Sequence, residues 1–313
     1  MKSFSNLLWC PKCKSDLKIL DNKHYCSNQN CVHFKLEFPN VNNVPALVDF
    51  DNSIIDYEQI AHNNTSTFIL RDKPSKFKKV IRTVLNGSNT KSRNNFATCL
   101  GLLENLNNPR ILIIGGGTIG VGSELIIEKF KNEIVSFDVY YSPTIDFIAD
   151  AHSIPLANSC IDLIIIQAVL EHVLEPAVVV SECYRVLKTE GYIYAETPFL
   201  QHVHEGAYDF TRYTTLGHRI MFKDFTELSS GYIGGMGQSL LWSIEYFFSG
   251  LFRSRYIGKV FKILFLWLRP LEKMIPEKWN YDGACGSYFL GKRGTLRHNK
   301  LKEFIKEYKG AQE

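Results

Sequence analysis

The sequence predicts an α/β protein: a doubly wound, mostly parallel sheet preceded by a small cysteine-bearing module. Three observations carry this. From Arg110 onward, short apolar runs alternate with helical stretches, the signature of strands joined by crossover helices. The first of those runs leads into a dense glycine turn, ILIIGGGTIGVGSE. Four of the eight cysteines fall between positions 10 and 31, ahead of the alternating region. A length of 313 residues suits about two domains. Apolar residues at 45% and charged residues at 22% exclude extensive disorder, collagen-like repeats and coiled coil. A net charge of +4 is too small to argue by itself for a nucleic-acid partner.

The opening MKSFSNLLWCPKC has too few apolar residues before Cys10-Pro11 for a secretory segment. No uninterrupted apolar run reaches the ~18 residues of a membrane span. Residues 239–271 come nearest, but Glu245, Arg253, Arg255, Lys259 and Lys262 divide them, which predicts two amphipathic helices. Four clustered and four scattered cysteines do not make a secreted disulfide scaffold, so the expected compartment is the reducing cytoplasm.

Residues 1–50 form the first module. Cys10-Pro-Lys-Cys13 is followed, after twelve intervening residues, by Cys26-Ser-Asn-Gln-Asn-Cys31. Two such pairs on separate turns can bring four thiolates to one tetrahedral zinc ion. A module this small has little core of its own, so the metal would supply folding energy. Four protein ligands leave no open position, which makes the zinc structural. His24 and His33 lie near enough in sequence to replace one thiolate.

Residues 51–108 read as a helical linker or cap, polar and rich in Asn, with helices expected over 76–85 and 96–106. Residues 109–293 hold the main domain, with strands expected at 111–114, 134–138, 147–149, 161–166, 191–196 and 287–291, and a helical insertion over about 239–281. Residues 294–313 end in a charged helix, LKEFIKEYK.

In the glycine turn, Gly115, Gly116, Gly117 and Gly120 stand between a strand and a helix, where they allow a tight bend and close approach of backbone to a bound nucleoside. Asp138 ends the next strand, eighteen residues after Gly120, where a carboxylate can accept ribose hydroxyls. These features suit a dinucleotide as well as any other nucleoside cofactor. A Walker-type Gly-Lys-Ser is absent from the sequence, which disfavours a P-loop.

The stretch FIADAHSIPLANSCIDLIIIQAVLEHV, followed by ECYRVLKTEGYIYAETPF, separates these possibilities. It resembles the class I S-adenosylmethionine-dependent methyltransferases of the type 11 group. The matching pieces are Asp150-Ala151, Pro155-Leu156, Asp162, Leu170-Glu171-His172-Val173 and Arg185-Val186-Leu187-Lys188. The resemblance runs from Arg110 to about Phe222 and resumes at GACGSYFLGKR. It implies a seven-stranded Rossmann-like sheet with an antiparallel last strand, and S-adenosyl-L-methionine over Gly115–Gly120. It places Asp138 on the ribose, Asp150 and Ala151 beside the adenine, and Gln167 lining the same pocket. The sequence departs from the family at Ile113, where an acid usually helps hold the methionyl end, and at Ile119, where the third glycine usually stands.

After the fifth expected strand, TPFLQHVHEGAYDFTRYTTLGHR packs His202, His204, Glu205, Tyr208, Asp209, Arg212 and Tyr213 into twelve residues. Ligands of open α/β sheets bind beyond the carboxyl ends of the strands, so these groups are expected at the acceptor side. The segment is similar to a motif, PF…H…DF.RYT, of a bacterial subgroup of the family, some of whose members are tied to surface glycan genes. His204, Asp209, Arg212 and Tyr213 are the candidate catalytic set. Either His204 takes a proton from the acceptor, or Asp209 and Arg212 form an ion pair that shapes the cleft.

Two further surfaces bear on partners. Arg71, Lys73, Lys76, Lys78, Lys79 and Arg82 cluster in one stretch. With a zinc module ahead, this is similar to bacterial ribosomal RNA guanine methyltransferases and makes RNA an alternative acceptor; a solvated helix face is the plain reading. The helices of 239–271 suit peripheral contact at the inner membrane face, or a cap or dimer surface. The expected reaction is methyl transfer to oxygen or nitrogen of a small-molecule, glycan or lipid-linked sugar acceptor. An NAD-linked oxidoreductase and a non-catalytic scaffold are the other classes.

Overall fold

The computed structural model describes residues 4–61, 89–294 and 301–312. The expected helix over 76–85 and the basic cluster from Arg71 to Arg82 lie outside the described residues.

The N-terminal module is made of two short hairpins. β1 (Leu17–Leu20) pairs antiparallel with β2 (Lys23–Cys26), and β3 (Asn40–Val41) with β4 (Val44–Pro45). Asp21-Asn22 and Asn42-Asn43 turn them, all four with positive φ between 50° and 65°. Paired left-handed residues match the twist of the flanking strands, and Asn and Asp tolerate that conformation best after glycine.

The main sheet has seven strands: β5 (Ile111–Ile114), β6 (Ile134–Asp138), β7 (Phe147–Ile148), β8 (Ile161–Gln167), β9 (Leu187–Pro198), β10 (Thr226–Ile233) and β11 (Gly286–Lys292). Their spatial order is β7-β6-β5-β8-β9-β11-β10. The five strands from β7 to β9 are parallel, and β11 runs antiparallel to both neighbours, as the family resemblance implies for the last strand. β5 and β8 are central and buried on both faces, so they read as continuous apolar runs rather than alternating ones.

The helix expected over 96–106 runs instead over Thr90–Leu103. Its start is set by Asn89, whose side chain accepts from the Ser92 backbone N–H at 3.1 Å. The insertion folds as two helices, Met236–Leu251 and Arg255–Leu264, packed on each other through Phe248 and Phe261, whose rings stack at 3.6 Å. No helix among the described residues is long and apolar enough to cross a membrane.

The N-terminal module shares the main core. Phe4, Leu8, Leu17, Phe38 and Leu47 belong to one buried cluster with Phe137, Phe147, Leu156 and Val179. Backbone bonds stitch the two parts together: Trp9 N–H to Pro155 O at 3.1 Å, Ala157 N–H to Leu7 O at 2.8 Å and Leu47 N–H to Ile148 O at 2.8 Å. The module therefore covers the β7 edge of the sheet, which would otherwise present unpaired backbone groups.

Candidate active site

The four thiols of Cys10, Cys13, Cys26 and Cys31 converge, each sulfur within 4.8 Å of the others, with Cys13 and Cys26 at 3.3 Å and Cys10 and Cys31 at 3.8 Å. This donor set fits a tetrahedral structural zinc. Burial works against ionising Cys13, but hydrogen bonds from Ser15 outweigh it and hold the thiol down to about 6. His24 and His33 are not part of the sulfur set; His33 stacks on Phe38 at 4.1 Å. The other cysteines, Cys99, Cys160, Cys183 and Cys285, are free and buried.

The glycine turn has a geometric requirement for its glycines. Gly115 has φ of 78°, and a Cβ there would stand 2.4 Å from Val169 Cγ2. A Cβ on Gly117 would meet Asp138 Oδ2 at 2.7 Å, and one on Gly120 would meet Gln167 Oε1 at 1.7 Å. The Gly115 and Gly116 N–H groups both donate to Phe137 O, at 3.0 and 2.9 Å, which folds the turn back over the end of β6. There Asp138 accepts from Gly117 N–H at 2.9 Å and from Val139 N–H at 2.8 Å. A carboxylate oxygen can accept more than one hydrogen bond, and a carboxylate at the end of this strand can accept ribose hydroxyls.

Asp150 is buried at the end of β7, with Ala151 beginning a short 3₁₀ turn beside it. Its oxygens accept from His152 Nδ1 at 2.6 Å, His152 N–H at 2.9 Å and Ser53 Oγ at 2.6 Å. Burial pushes this carboxyl up, but those hydrogen bonds outweigh it and hold it below the usual range. Ser53 comes from the segment after the N-terminal module, so that segment reaches the end of β7.

Ile113 sits among Phe96, Leu103, Ile165 and Tyr194, an apolar layer where a carboxylate would be stranded. The same face carries its acid one layer higher. Glu196, two residues beyond Tyr194 on β9, is buried beneath the glycine turn. It accepts from Ser92 Oγ and Tyr194 Oη, both at 2.5 Å, and from Gln167 Nε2 at 2.8 Å. Burial raises its pKa above the ordinary carboxylate value. Gln167 also donates to Val121 O at 3.2 Å, tying the glycine turn to the strand ends. Ser92, Tyr194 and Glu196 were not among the sequence candidates. The available signal was polar side chains at alternate positions, Tyr194 and Glu196, in the buried second half of β9.

Residues 199–213 leave the carboxyl end of β9. Asp209 and Arg212 form a bidentate ion pair, and Arg212 also donates to Gln201 O at 2.9 Å and His202 O at 3.2 Å. Asp209 Oδ2 accepts from His204 N–H at 2.8 Å and lies 3.2 Å from His204 Nδ1. Burial raises the Asp209 carboxyl, but Arg212 and His204 overcome it and hold the group well below the usual range. Tyr213 is half-buried and leads into the helix Thr215–Met221. The insertion roofs this loop: Tyr246 stacks on His202 at 4.2 Å and donates to Val203 O at 2.6 Å. Glu171, following β8, lies against the same loop, its carbonyl accepting from Phe210 N–H at 2.8 Å.

A sheet that is parallel from β7 to β9, with a glycine turn after β5, an acid at the end of β6 and an ordered polar loop beyond β9, makes this a doubly wound α/β domain. Residues 120–195 match the family model described as methyltransferase domain. The curated proteins offer no match. Among solved structures, the chain is similar to phosphoethanolamine N-methyltransferase 2 of Haemonchus contortus in complex with S-adenosyl-L-methionine (12% identity, 72% of this chain and 59% of that one, TM-score 0.43). It is also similar to a protein described as a sarcosine dimethylglycine methyltransferase from Galdieria sulphuraria (14% identity, 66% and 86%, TM-score 0.41). A third is the [4+2]-cyclase SpnF (13% identity, 69% and 92%, TM-score 0.40).

Proposed function

We propose that this protein transfers a methyl group from S-adenosyl-L-methionine to a hydroxyl or amine of a small-molecule or glycan acceptor. The observation that carries the reading is Asp138, inside the segment matched as a methyltransferase domain, held under Gly117 at the end of β6. When bound, the cofactor supplies a methyl group on a sulfonium, already a good leaving group. The protein's work is then mainly positioning. The Gly115–Gly117 backbone and Asp138 hold the nucleoside, and Gln167 fixes the turn above it. Asp150 and Ala151 border the adenine side. The Asp209–Arg212 pair keeps the 199–213 loop in one shape, with His204 and Tyr213 on the acceptor side.

Calorimetry on the full chain tests this. Heat is expected with S-adenosylhomocysteine and none with NAD; dinucleotide binding without a response to S-adenosylhomocysteine overturns it. Mass spectrometry of co-purified ligands then reads the acceptor class.

A lipid-linked sugar as acceptor is favoured by the surface of the insertion. Phe247, Tyr256 and Trp267 are 65%, 77% and 61% exposed, and Arg253, Arg255 and Lys259 are exposed near them. Exposed aromatic and apolar side chains flanked by cations suit the interface of an anionic bilayer. Co-sedimentation with phosphatidylglycerol vesicles is expected, and Trp267→Glu with Tyr256→Glu is expected to abolish it; an unbound wild type removes the membrane reading.

A further inference from the structure

We propose that Glu171, His172 and His204 bind one divalent transition-metal ion on the acceptor side, distinct from the cysteine site. One ligand atom from each residue lies within 4.8 Å of the others, and the two imidazole rings meet edge to face at 5.0 Å.

The strongest sign is Glu171. Its side chain is 0% exposed, and neither carboxylate oxygen has a hydrogen-bond partner. Its polar neighbour, His172 Nε2, stands 3.5 Å from Oε1. An unsatisfied buried carboxylate is costly, and a cation is the partner that removes the cost. Aspartate 209, close by, is already neutralised by Arg212, so that guanidinium is committed elsewhere.

Both histidines have a carbonyl or carboxylate oxygen near Nδ1, and His204 Nδ1 also lies 3.5 Å from Arg212 Nη2. His172 Nδ1 lies 2.7 Å from Tyr208 O, so it carries the proton and leaves the Nε2 lone pair toward Glu171. His204 Nδ1 faces Asp209 Oδ2 at 3.2 Å, and Asp209 is itself held by Arg212. Metal-bound histidines characteristically give their other N–H to a carbonyl or a carboxylate. The topology places the ion usefully. Glu171 and His172 follow β8 and His204 follows β9, so all three lie beyond the carboxyl ends of parallel strands, where ligands bind.

Two imidazoles and one carboxylate suit Zn²⁺, Fe²⁺ or Co²⁺ better than Ca²⁺ or Mg²⁺, and leave coordination positions open. Resting on the methyl-transfer reading, the open position would take a hydroxyl oxygen of the acceptor. On binding, the hydroxyl releases its proton to bulk water. Its oxygen lone pair then forms the C–O bond to the methyl carbon as the C–S bond breaks, and that electron pair stays on sulfur.

The test is Co²⁺ titration of the full chain with zinc retained at the cysteines, read by bound cobalt per chain and by the visible spectrum. One equivalent of cobalt is expected, with nitrogen–oxygen d–d bands and no thiolate charge-transfer band. Glu171→Gln and His204→Ala are each expected to weaken it at least tenfold. His204 is part-exposed, so its variant serves if the Glu171 variant does not fold. No cobalt beyond the cysteine site, or equal binding by wild type and variants, overturns the proposal. S-adenosylhomocysteine calorimetry on the same samples separates the readings: cobalt bound at these residues without cofactor binding keeps the metal site and removes the methyl-transfer reading.

Discussion

Gln167 donates through Nε2 to Oε2 of Glu196 at 2.8 Å, joining the ends of β8 and β9 directly under the glycine turn. Glu196 is the common acceptor for Ser92, Tyr194 and Gln167, which come from three elements. Glu196→Ala leaves the buried Ser92 and Tyr194 hydroxyls without this acceptor, and the expected loss is about 3 kcal/mol, since each unsatisfied buried group costs ~1–3 kcal/mol. Glu196→Gln keeps an acceptor oxygen and should lose less. Urea unfolding midpoints measure both; equal, negligible losses would show that water replaces the carboxyl.

Gly115→Ala tests the turn itself. The substitution meets a positive φ and a 2.4 Å approach to Val169 Cγ2. Strain of this kind costs ~1–3 kcal/mol. On the proposal that this backbone holds the cofactor, S-adenosylhomocysteine affinity should fall at least tenfold. The control, Gly101→Ala, sits in the helix Thr90–Leu103 with no atom within 4 Å of the added Cβ. It should leave affinity unchanged and stability equal or higher. Isothermal calorimetry and thermal melts read the pair.

Zinc removal should destabilise the whole chain. Leu8, Leu17 and Phe38 belong to the cluster that holds Phe147 and Leu156 of the main domain, and burial of each large apolar side chain is worth ~1.5–3 kcal/mol. Chelation, or Cys26→Ser, is therefore expected to lower the main melting transition by about 5 °C or more. Differential scanning calorimetry checks this. A separate early transition with an unmoved main one would mean that the module unfolds alone.

His218 should make the fold acid-sensitive. It is fully buried, with Nε2 3.1 Å from Thr197 Oγ1 and no partner for Nδ1, and burial drives its pKa down to about 3. In the unfolded chain it takes a proton near pH 6.5, whereas the folded state resists until about 3. Its contribution is therefore complete above about pH 6.5 and is lost as pH falls toward 3, with a slope of about 1.4 kcal/mol per unit. His218→Asn should flatten that part of the profile. Unfolding free energies between pH 7.5 and 5, compared for wild type and variant, give the difference.

Much of the fold is written locally. The apolar runs of β5, β6 and β8 are legible because central parallel strands are buried on both faces. The cysteine spacing anticipated a four-sulfur set because ligands on two tight turns need only local geometry to converge. β10 had no such signature. Among the described residues it lies at the sheet edge beside β11, and its positions are mostly half-buried, so neither a continuous nor an alternating apolar pattern marks it. Helix Thr90–Leu103 began earlier than its apolar spacing suggested because Asn89, a polar cap, sets its start.

The sequence by itself determined the alternation of strands and helices, the thiol pairs, the need for glycine in the turn and the polar loop after β9. Those are properties of neighbours along the chain. Only the tertiary structure decided that Ile113 belongs to an apolar layer while Glu196 supplies the carboxyl above it, that Ser53 reaches Asp150, and that Glu171 is buried beside two imidazoles. Such pairings depend on which strand ends lie side by side and on how completely water is excluded between them, and no periodicity along one segment carries that information.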